Sequence, residues 1–446
     1  MKNISIWKDG KIKKEYPKLS KNLKVDVLII GGGITGISTF YHLKDSGLKT
    51  VLVEQNKIGY GITGNSTGKL SYLQNDLIDK IRNSVGDEKA SLYLKSQIEG
   101  INRIIQTIKK EKIRCDLEEA CSTLFTNNNE EINMIKSLED FLRKNGVNVG
   151  SANNDIVQSK YMIKSSGTYI FHPIKFLYGL IKENDEVYEN SRIIKIEKSE
   201  NYYNCYTDSK VIKCKYVVIA SHYPYFIFPY MFPLKCFLEK SYLSASKGNY
   251  DKLSLISYSN PFISIRTYKN KLIYLSNSHD ISIDINDQKN FKELIKKVSD
   301  MHLTIDYLWS NIDIMSGDGM PFIGEINSNL LIGTGYNTWG LANGFLAGKI
   351  LSDIILKKDN EYISLFNPKR KVKGFLSNVK SNVRGYVNGF LNSTNKCQLC
   401  PHAYGKLVYN EVEDTWDCPC HGSRFDGVGK LLSGPANKDI SAIKKN

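Results

Sequence analysis

The 446-residue sequence has no run approaching the roughly 18 uninterrupted apolar residues of a membrane helix, so a membrane span is excluded as an expectation. Its opening, MKNISIWKDGKIKKEYPKLSK, lacks the apolar core of a signal peptide, which makes the cytoplasm the expected location. Acidic residues are in deficit, 46 against 61 Lys and Arg, giving a formal charge of +15. The excess is mostly lysine spread along the chain, with no polybasic block. It therefore reads as compositional bias accompanying heavy use of Asn, Ile and Tyr, and no nucleic-acid partner is expected. Internal repeats and low-complexity linkers are also missing. The nine cysteines are an odd number in a chain without a secretion signal, which argues for reduced thiols rather than a disulfide framework.

The length asks for two or three domains. Five cysteines (Cys115, Cys121, Cys205, Cys214 and Cys236) are dispersed and need no role beyond packing. The other four fall between 397 and 420.

Near the N-terminus, VDVLII at 25–30 is a strand-like apolar run. GGGITG at 31–36 follows, then a helical pattern closed by Gly47, then a second strand, TVLVE, ending at Glu54. Gly31, Gly33 and Gly36 between strand and helix, with an acid 18 positions later, form a dinucleotide-binding turn. The glycines let the backbone approach a pyrophosphate, which the helix N-terminus favours, and Glu54 is placed to accept from a ribose. The motif alone leaves FAD and NAD open. The small, hydroxyl-rich stretch GYGITGNSTGKLSYLQ at 59–74 suits backbone lying along a flavin.

With that stretch the sequence resembles the D-amino-acid-oxidase-like FAD-dependent oxidoreductases, the group of glycine oxidase and gamma-glutamylputrescine oxidase, from about residue 5 to about 370. GTYIFHPIKFLYGL (167–180), KYVVIASHYP (215–224), WSNIDIMSGDGMPFIGEI (309–326) and LIGTGYNTWGLANGFLAGKILSDII (331–355) carry the likeness in the family's order. The resemblance implies an α/β fold: a Rossmann-type FAD-binding domain with an inserted antiparallel-sheet substrate domain. The nucleotide-binding parts are expected at about 20–90, 150–222 and 310–358, and the substrate or cap parts at about 91–149 and 223–309. It implies FAD contacts from Gly31, Gly33, Ile34, Thr35, Gly36, Glu54 and Gln55. Further contacts are implied from Thr63, Gly64, Ser66, Thr67, Gly68, Lys69 and Leu70, and from Ala220, Gly335, Thr338, Trp339, Gly340 and Leu341.

Arg266, His279 and Trp339 are the candidate catalytic residues; Arg266 and His279 could equally be ordinary strand residues. His172, His222, Asn343 and Gly344 read as packing positions as readily as contacts. The aromatic run YPYFIFPYMFPL (223–234) reads as core or lid. The implied substrate is a small amine or amino acid, and the electron acceptor is not written in the sequence.

Residues 375–391 carry apolar side chains at helical spacing, so 371–396 is expected to be a helical connector. Beyond it, Cys400-x-His402 and Cys418-x-x-His421, with 15 residues between, have the ligand order of a Rieske [2Fe–2S] site, in which two thiolates hold one iron and two imidazoles the other. TWDCPCHGSRFDGVGKLLSGPA resembles the second cluster loop of Rieske domains. Residues 397–446 are thus expected to be a small Rieske-like β module. The likeness departs in two places. Gly405 stands where many Rieske domains have a cysteine able to bridge to the one at Cys420, and the strands that usually precede the first loop are missing. Zinc held by Cys397, Cys400 and residues of the second loop is the alternative, which would accompany an oxygen-using amine oxidase; a flavin- and cluster-based redox sensor is another. Every flavin motif ends before about 370, so the tail is expected to be separable from flavin binding.

Overall fold

Leu23–Ile30 is buried along its C-terminal half, as a strand inside a parallel sheet must be. In the computed structural model, which describes residues 1–10, 14–153, 156–223, 232–248, 250–372, 375–391 and 398–440, this strand is central. It pairs in parallel with Val211–Ile219 and with Thr50–Val53, and the latter pairs in parallel with Val187–Tyr188. Leu330–Thr334 extends the parallel set beside Val211–Ile219. Antiparallel strands Lys195–Lys198, Tyr203–Tyr206 and Phe322–Asn327 complete the sheet. Helix Ile34–Leu43 crosses helix Gly340–Ile355 at glycines: a Cβ on Gly344 would lie 2.5 Å from Ile34, and one on Gly348 would run into Ser38. Gly344 is therefore a packing position, and Asn343 is one too, its Oδ1 accepting from Gln97 at 2.7 Å.

The second sheet runs in the order Ile305–Ser316, Cys236–Lys247, Lys271–Asp280, Ser264–Tyr268, Ser254–Ser257, Ser122–Thr126, Tyr161–Ser165, Val149–Ser151. It is antiparallel except between Ser254–Ser257 and Ser122–Thr126, which run parallel because they come from distant segments. Val149–Ser151 and Tyr161–Ser165 pair here rather than in the nucleotide part, so the boundary placed at 150 shifts towards the C-terminus. Helix Asp287–Asp300, not foreseen, packs Phe291, Leu294 and Val298 against Tyr242 and Leu308.

The connector forms helix Phe375–Leu391, and the tail is a four-stranded antiparallel sheet, Val408–Asn410, Thr415–Asp417, Arg424–Asp426 and Leu431–Ser433. Helix and tail touch closely at Gly389, where a Cβ would sit 3.0 Å from Lys406 O, and at Gly385, where one would strike Pro419 O. No helix among the described residues is long and apolar enough to cross a membrane. Cys397 and residues 224–231 of the aromatic run lie outside the described residues.

Cys236–Lys247 and Ile305–Ser316 pair in regular register from Cys236↔Ser316 to Ala245↔Tyr307. The two-residue period of a strand gives this pair two distinct faces. Ser241, Leu243, Asn311 and Asp313 face a cavity above the Rossmann sheet. Leu238 and Ile312 face the tail, where a Cβ on Gly422 would lie 2.9 Å from Leu238.

On the tail side a buried charge cluster holds the module. Lys240 Nζ donates to Asp287 Oδ2 at 2.8 Å and to Asp417 Oδ2 at 2.7 Å. Arg424 donates to Asp417 at 3.0 Å and to Glu413 at 2.8 Å, and Glu413 accepts the Ser310 amide at 3.0 Å. Burial would raise the Asp417 and Glu413 carboxyls, but Arg424 and Lys240 hold both below the usual carboxylate range. Their contribution to stability is therefore present above the unfolded carboxylate range, near pH 4, and lost as pH falls through the depressed folded values. We predict that Lys240→Met, which leaves Asp287 without a cation and Asp417 with Arg424 alone, costs about 3–5 kcal/mol in denaturant unfolding at pH 7, with the deficit shrinking as pH falls below about 4. A neutral outcome would remove the cluster from the docking account.

Candidate functional site: a flavin cavity and a thiol–imidazole tail

The cavity starts at the glycine turn. Gly31 has φ +112°, and a Cβ there would lie 2.6 Å from Ala220 O, so only glycine fits. Gly36 is excluded from the lining but carries the same requirement, since a Cβ would collide with Gly31 O. Gly33, Ile34 and Thr35 bring the helix start to the cavity wall, and Thr63 Oγ1 accepts the Ile34 amide at 3.1 Å. Glu54 also lines the cavity. Its carboxylate accepts the Gly32 and Asn56 amides at 2.7 and 2.9 Å, which fixes the turn and leaves lone pairs for a ribose.

The loop at 61–69 supplies Thr63, Ser66, Thr67 and Lys69 to the wall. Two tryptophans hold it: Trp7 Nε1 donates to Ser66 O at 2.6 Å and Trp309 Nε1 to Asn65 O at 2.9 Å. Lys69 is buried, donating to Leu255 O at 2.6 Å and Ser264 Oγ at 2.8 Å; burial, with Arg266 nearby, holds its ammonium well below the lysine range. Gly64, Gly68, Leu70 and Gly335 are not on the lining; Gly68 and Gly335 take φ of +73° and +72° and shape the turns behind it. Ala220 borders the cavity, as do Thr338, Trp339, Gly340 and Leu341 at the start of helix Gly340–Ile355, whose amides and dipole point there.

Two of the three catalytic candidates lie elsewhere. Arg266, 1% exposed, donates through Nη1 to the carbonyls of Thr67, Gly68 and Phe171 at 2.9, 2.6 and 3.2 Å. Its guanidinium lies over the Trp7 ring, with Nη2 lacking a hydrogen-bond partner. It braces the flavin loop and does not line the cavity. His279 pairs in register with Lys240, which puts it on the tail-facing side, where it stacks on Tyr242 with ring centroids 5.8 Å apart. Trp339 alone borders the cavity. His172 caps helix Pro173–Leu180 by accepting the Lys175 amide.

The sequence left His222 open between packing and contact, and it missed several other cavity residues. His222, at φ +63°, lines the wall and bonds Ile312 O through Nε2 at 2.9 Å; burial pushes it down to about 4, so it is neutral at physiological pH. Asn311 and Asp313 lie in a stretch legible only as a flavin element. Least expected, Leu432, Ser433 and Gly434 of the tail line the cavity at the Glu54 end. Gln55 and Asn56 side chains both donate to Leu432 O, at 3.1 and 2.9 Å, and Arg192 pairs with Asp439 at 3.1 Å. The tail is thus part of the cavity wall, contrary to the separability expected from the motif positions.

In the tail, His402 and His421 rings stand 5.0 Å apart and nearly perpendicular. Burial pushes them down to about 4 and about 3, so both are neutral. Both ring nitrogens of His402 and Nδ1 of His421 are buried without a hydrogen-bond partner. Such orphans signal a missing ligand. The Cys400 and Cys418 thiols are buried in mutual contact, which with burial raises Cys400; Cys418 is pushed up to about 12 by Cys420 and burial, against the lowering bond to Cys400. Thiolates there need a metal's charge. Paired imidazoles beside paired thiols fit a two-iron cluster. A Cβ on Gly405 would lie 2.5 Å from Cys420 Sγ, so this glycine occupies the place from which a bridging cysteine would reach Cys420.

The FAD dependent oxidoreductase family named DAO matches residues 26–354, and the Rieske [2Fe-2S] domain matches residues 396–444. The Bacillus subtilis protein named for a Rieske 2Fe-2S iron–sulfur centre, YhfW, is 27% identical across 98% of this chain and 97% of its own. Gamma-glutamylputrescine oxidoreductase of Escherichia coli is 23% identical over 79% of this chain and 88% of its own. Among solved structures, glycine oxidase from Geobacillus kaustophilus superposes with a TM-score of 0.66 at 15% identity, covering 79% of this chain and all of that one.

Two predictions follow from the geometry. Iron and acid-labile sulfide should be present in equal amounts and be lost on replacing Cys400, His402, Cys418 or His421, whereas Cys420→Ser keeps them; stoichiometric zinc without sulfide would contradict the ligand set. Replacing Gln55 and Asn56 together by Ala removes both hydrogen bonds to Leu432 O and should loosen FAD by about 1–3 kcal/mol, read as faster appearance of free-flavin fluorescence on dilution. Unchanged FAD release would mean the tail does not close the site.

Proposed function

Because the chain belongs to the FAD-dependent oxidoreductase family and ends in a Rieske [2Fe–2S] domain, we propose that it oxidises a small amine or amino acid at a carbon–nitrogen bond and passes the electrons from FAD to the cluster and on to an external acceptor. Bound FAD supplies hydride acceptance and the cluster one-electron transfer. The observation that carries the reading is the back-to-back placement of the two sites on one pair of strands.

The chain's own residues divide the work. Gly31, Glu54 and the starts of helices Ile34–Leu43 and Gly340–Ile355 hold and orient the nucleotide and flavin. The 61–69 loop, pinned by Trp7, Trp309 and Arg266, keeps the reacting face in place. His222 borders the cavity, and the next residue, Tyr223, has its ring 6.2 Å from that of His421. This gives a short path from cavity wall to cluster ligand, one covalent step from His222 to Tyr223 and one ring-to-ring gap from Tyr223 to His421. Neutral imidazole ligands would favour reduction of a cluster held there, Rieske potentials lying at about −150 to +300 mV against about −400 mV for plant-type all-cysteine clusters, which would suit it to accept electrons.

Anaerobic rapid mixing with substrate tests the reading: flavin bleaching should be followed by loss of the oxidised-cluster bands. A cluster that stays oxidised beside fully reduced flavin would leave the tail a structural role, as in an oxygen-using oxidase.

A further inference from the structure

Asn311 and Asp313 stand on the cavity face of Ile305–Ser316, and Glu239 is directly opposite Asp313 on the neighbouring strand. Asn311 is 5% exposed, and its Nδ2 donates to Asp313 Oδ2 at 2.8 Å. That bond fixes the amide's orientation and leaves Asn311 Oδ1 buried without a partner. Among the described residues the Asp313 carboxyl has no other hydrogen-bond partner, and the Glu239 carboxyl has neither a hydrogen bond nor an ion pair, with Lys80 the cation acting on it from a distance. When the two acids are ionised the cluster offers acceptors only, and a buried acceptor without a donor is costly.

The rest of the wall supplies no answering charge. Among the described residues no arginine lines the cavity, and the one lysine that does, Lys69, spends donors on Leu255 O and Ser264 Oγ. A carboxylate brought to this face would meet the Asp313 carboxyl and the Asn311 amide oxygen, with Glu239 opposite Asp313 on the next strand. An ammonium, with its positive charge and several N–H donors, satisfies both lining groups. Burial holds the Asp313 carboxyl up at about 7, and burial with Asp313 opposite holds Glu239 there too, as befits acids waiting for a cation.

We propose that Asp313, with Asn311 Oδ1, binds the cationic nitrogen of the substrate, and that the substrate is an amine carrying no carboxylate at this end of the cavity. The proposal rests on the reading of the cavity as a carbon–nitrogen oxidation site and chooses between the two substrate classes that reading leaves. Asp313 is a binding residue in this account, and Glu239 acts through it as a positioning residue.

The test uses the full-length protein with both cofactors and a probe that cannot react. tert-Butylammonium has no hydrogen on the carbon bearing nitrogen, and pivalate is its anionic counterpart of the same shape. tert-Butylammonium should perturb the flavin absorption spectrum saturably and pivalate should not. Asp313→Asn should weaken the cation by about tenfold or more, at least about 1.4 kcal/mol, while Asp313→Glu retains the preference for the cation. Glu239→Gln, more remote from the ligand, should give a smaller loss and serves if Asp313→Asn fails to retain FAD. The proposal is overturned if pivalate binds as well as the cation, if neither perturbs the flavin, or if Asp313→Asn leaves the cation's affinity unchanged. Failure of the carbon–nitrogen reading looks different: the cation would bind as described, yet oxidisable primary amines would not bleach the flavin under anaerobic conditions.

Discussion

Two adjacent strands, Cys236–Lys247 and Ile305–Ser316, carry the architecture. Because side chains alternate, one face can be a flavin cavity wall while the other is the floor under a cluster module. A register slip of one residue would exchange Asp313 for Ile312 and Lys240 for Ser241, emptying both sites at once. The tail sheet buries only a small core of its own, Leu407, Phe425, Leu431, Ala436 and Ile440 beside the thiols, and it packs its second loop on this floor. Gly422 lets its second loop approach Leu238 and Ile312, and Gly385 and Gly389 let the connector helix close over the other side.

Charge rather than apolar area fixes where the tail sits. Lys240 and Arg424 face Asp287, Asp417 and Glu413 in a buried cluster that spans both modules. Such a cluster adds little net stability compared with a well-packed apolar contact, but any misplaced docking leaves an unpaired buried charge. It therefore selects one orientation. In that orientation His421 lies beside Tyr223, and Leu432–Gly434 close the Glu54 end of the cavity.

Local chemistry was legible in the sequence wherever a backbone requirement forced a residue type. The glycine turn, Glu54, the 59–74 loop and the start of the last helix could be read because tight turns and phosphate approach admit few alternatives. The tail's two Cys–His pairs were legible through their spacing. Arg266 and His279 misled for a common reason: both are polar residues in strands, and only register tells which face they occupy or which backbone carbonyls they meet. Asp313 was passed over because its meaning comes from Glu239, 74 positions earlier in the chain. The closure of the flavin cavity by residues 432–434 had no local signal at all, since it arises from how two modules dock.

The central claim is that flavin site and cluster module form one structural unit. A single guanidinium titration of the native protein, followed together by flavin fluorescence and by the visible absorbance of the cluster, tests it most directly. The account predicts coincident transitions, with FAD released as the cluster is lost. Loss of the cluster at low denaturant with FAD retained through a separate, later transition would contradict it.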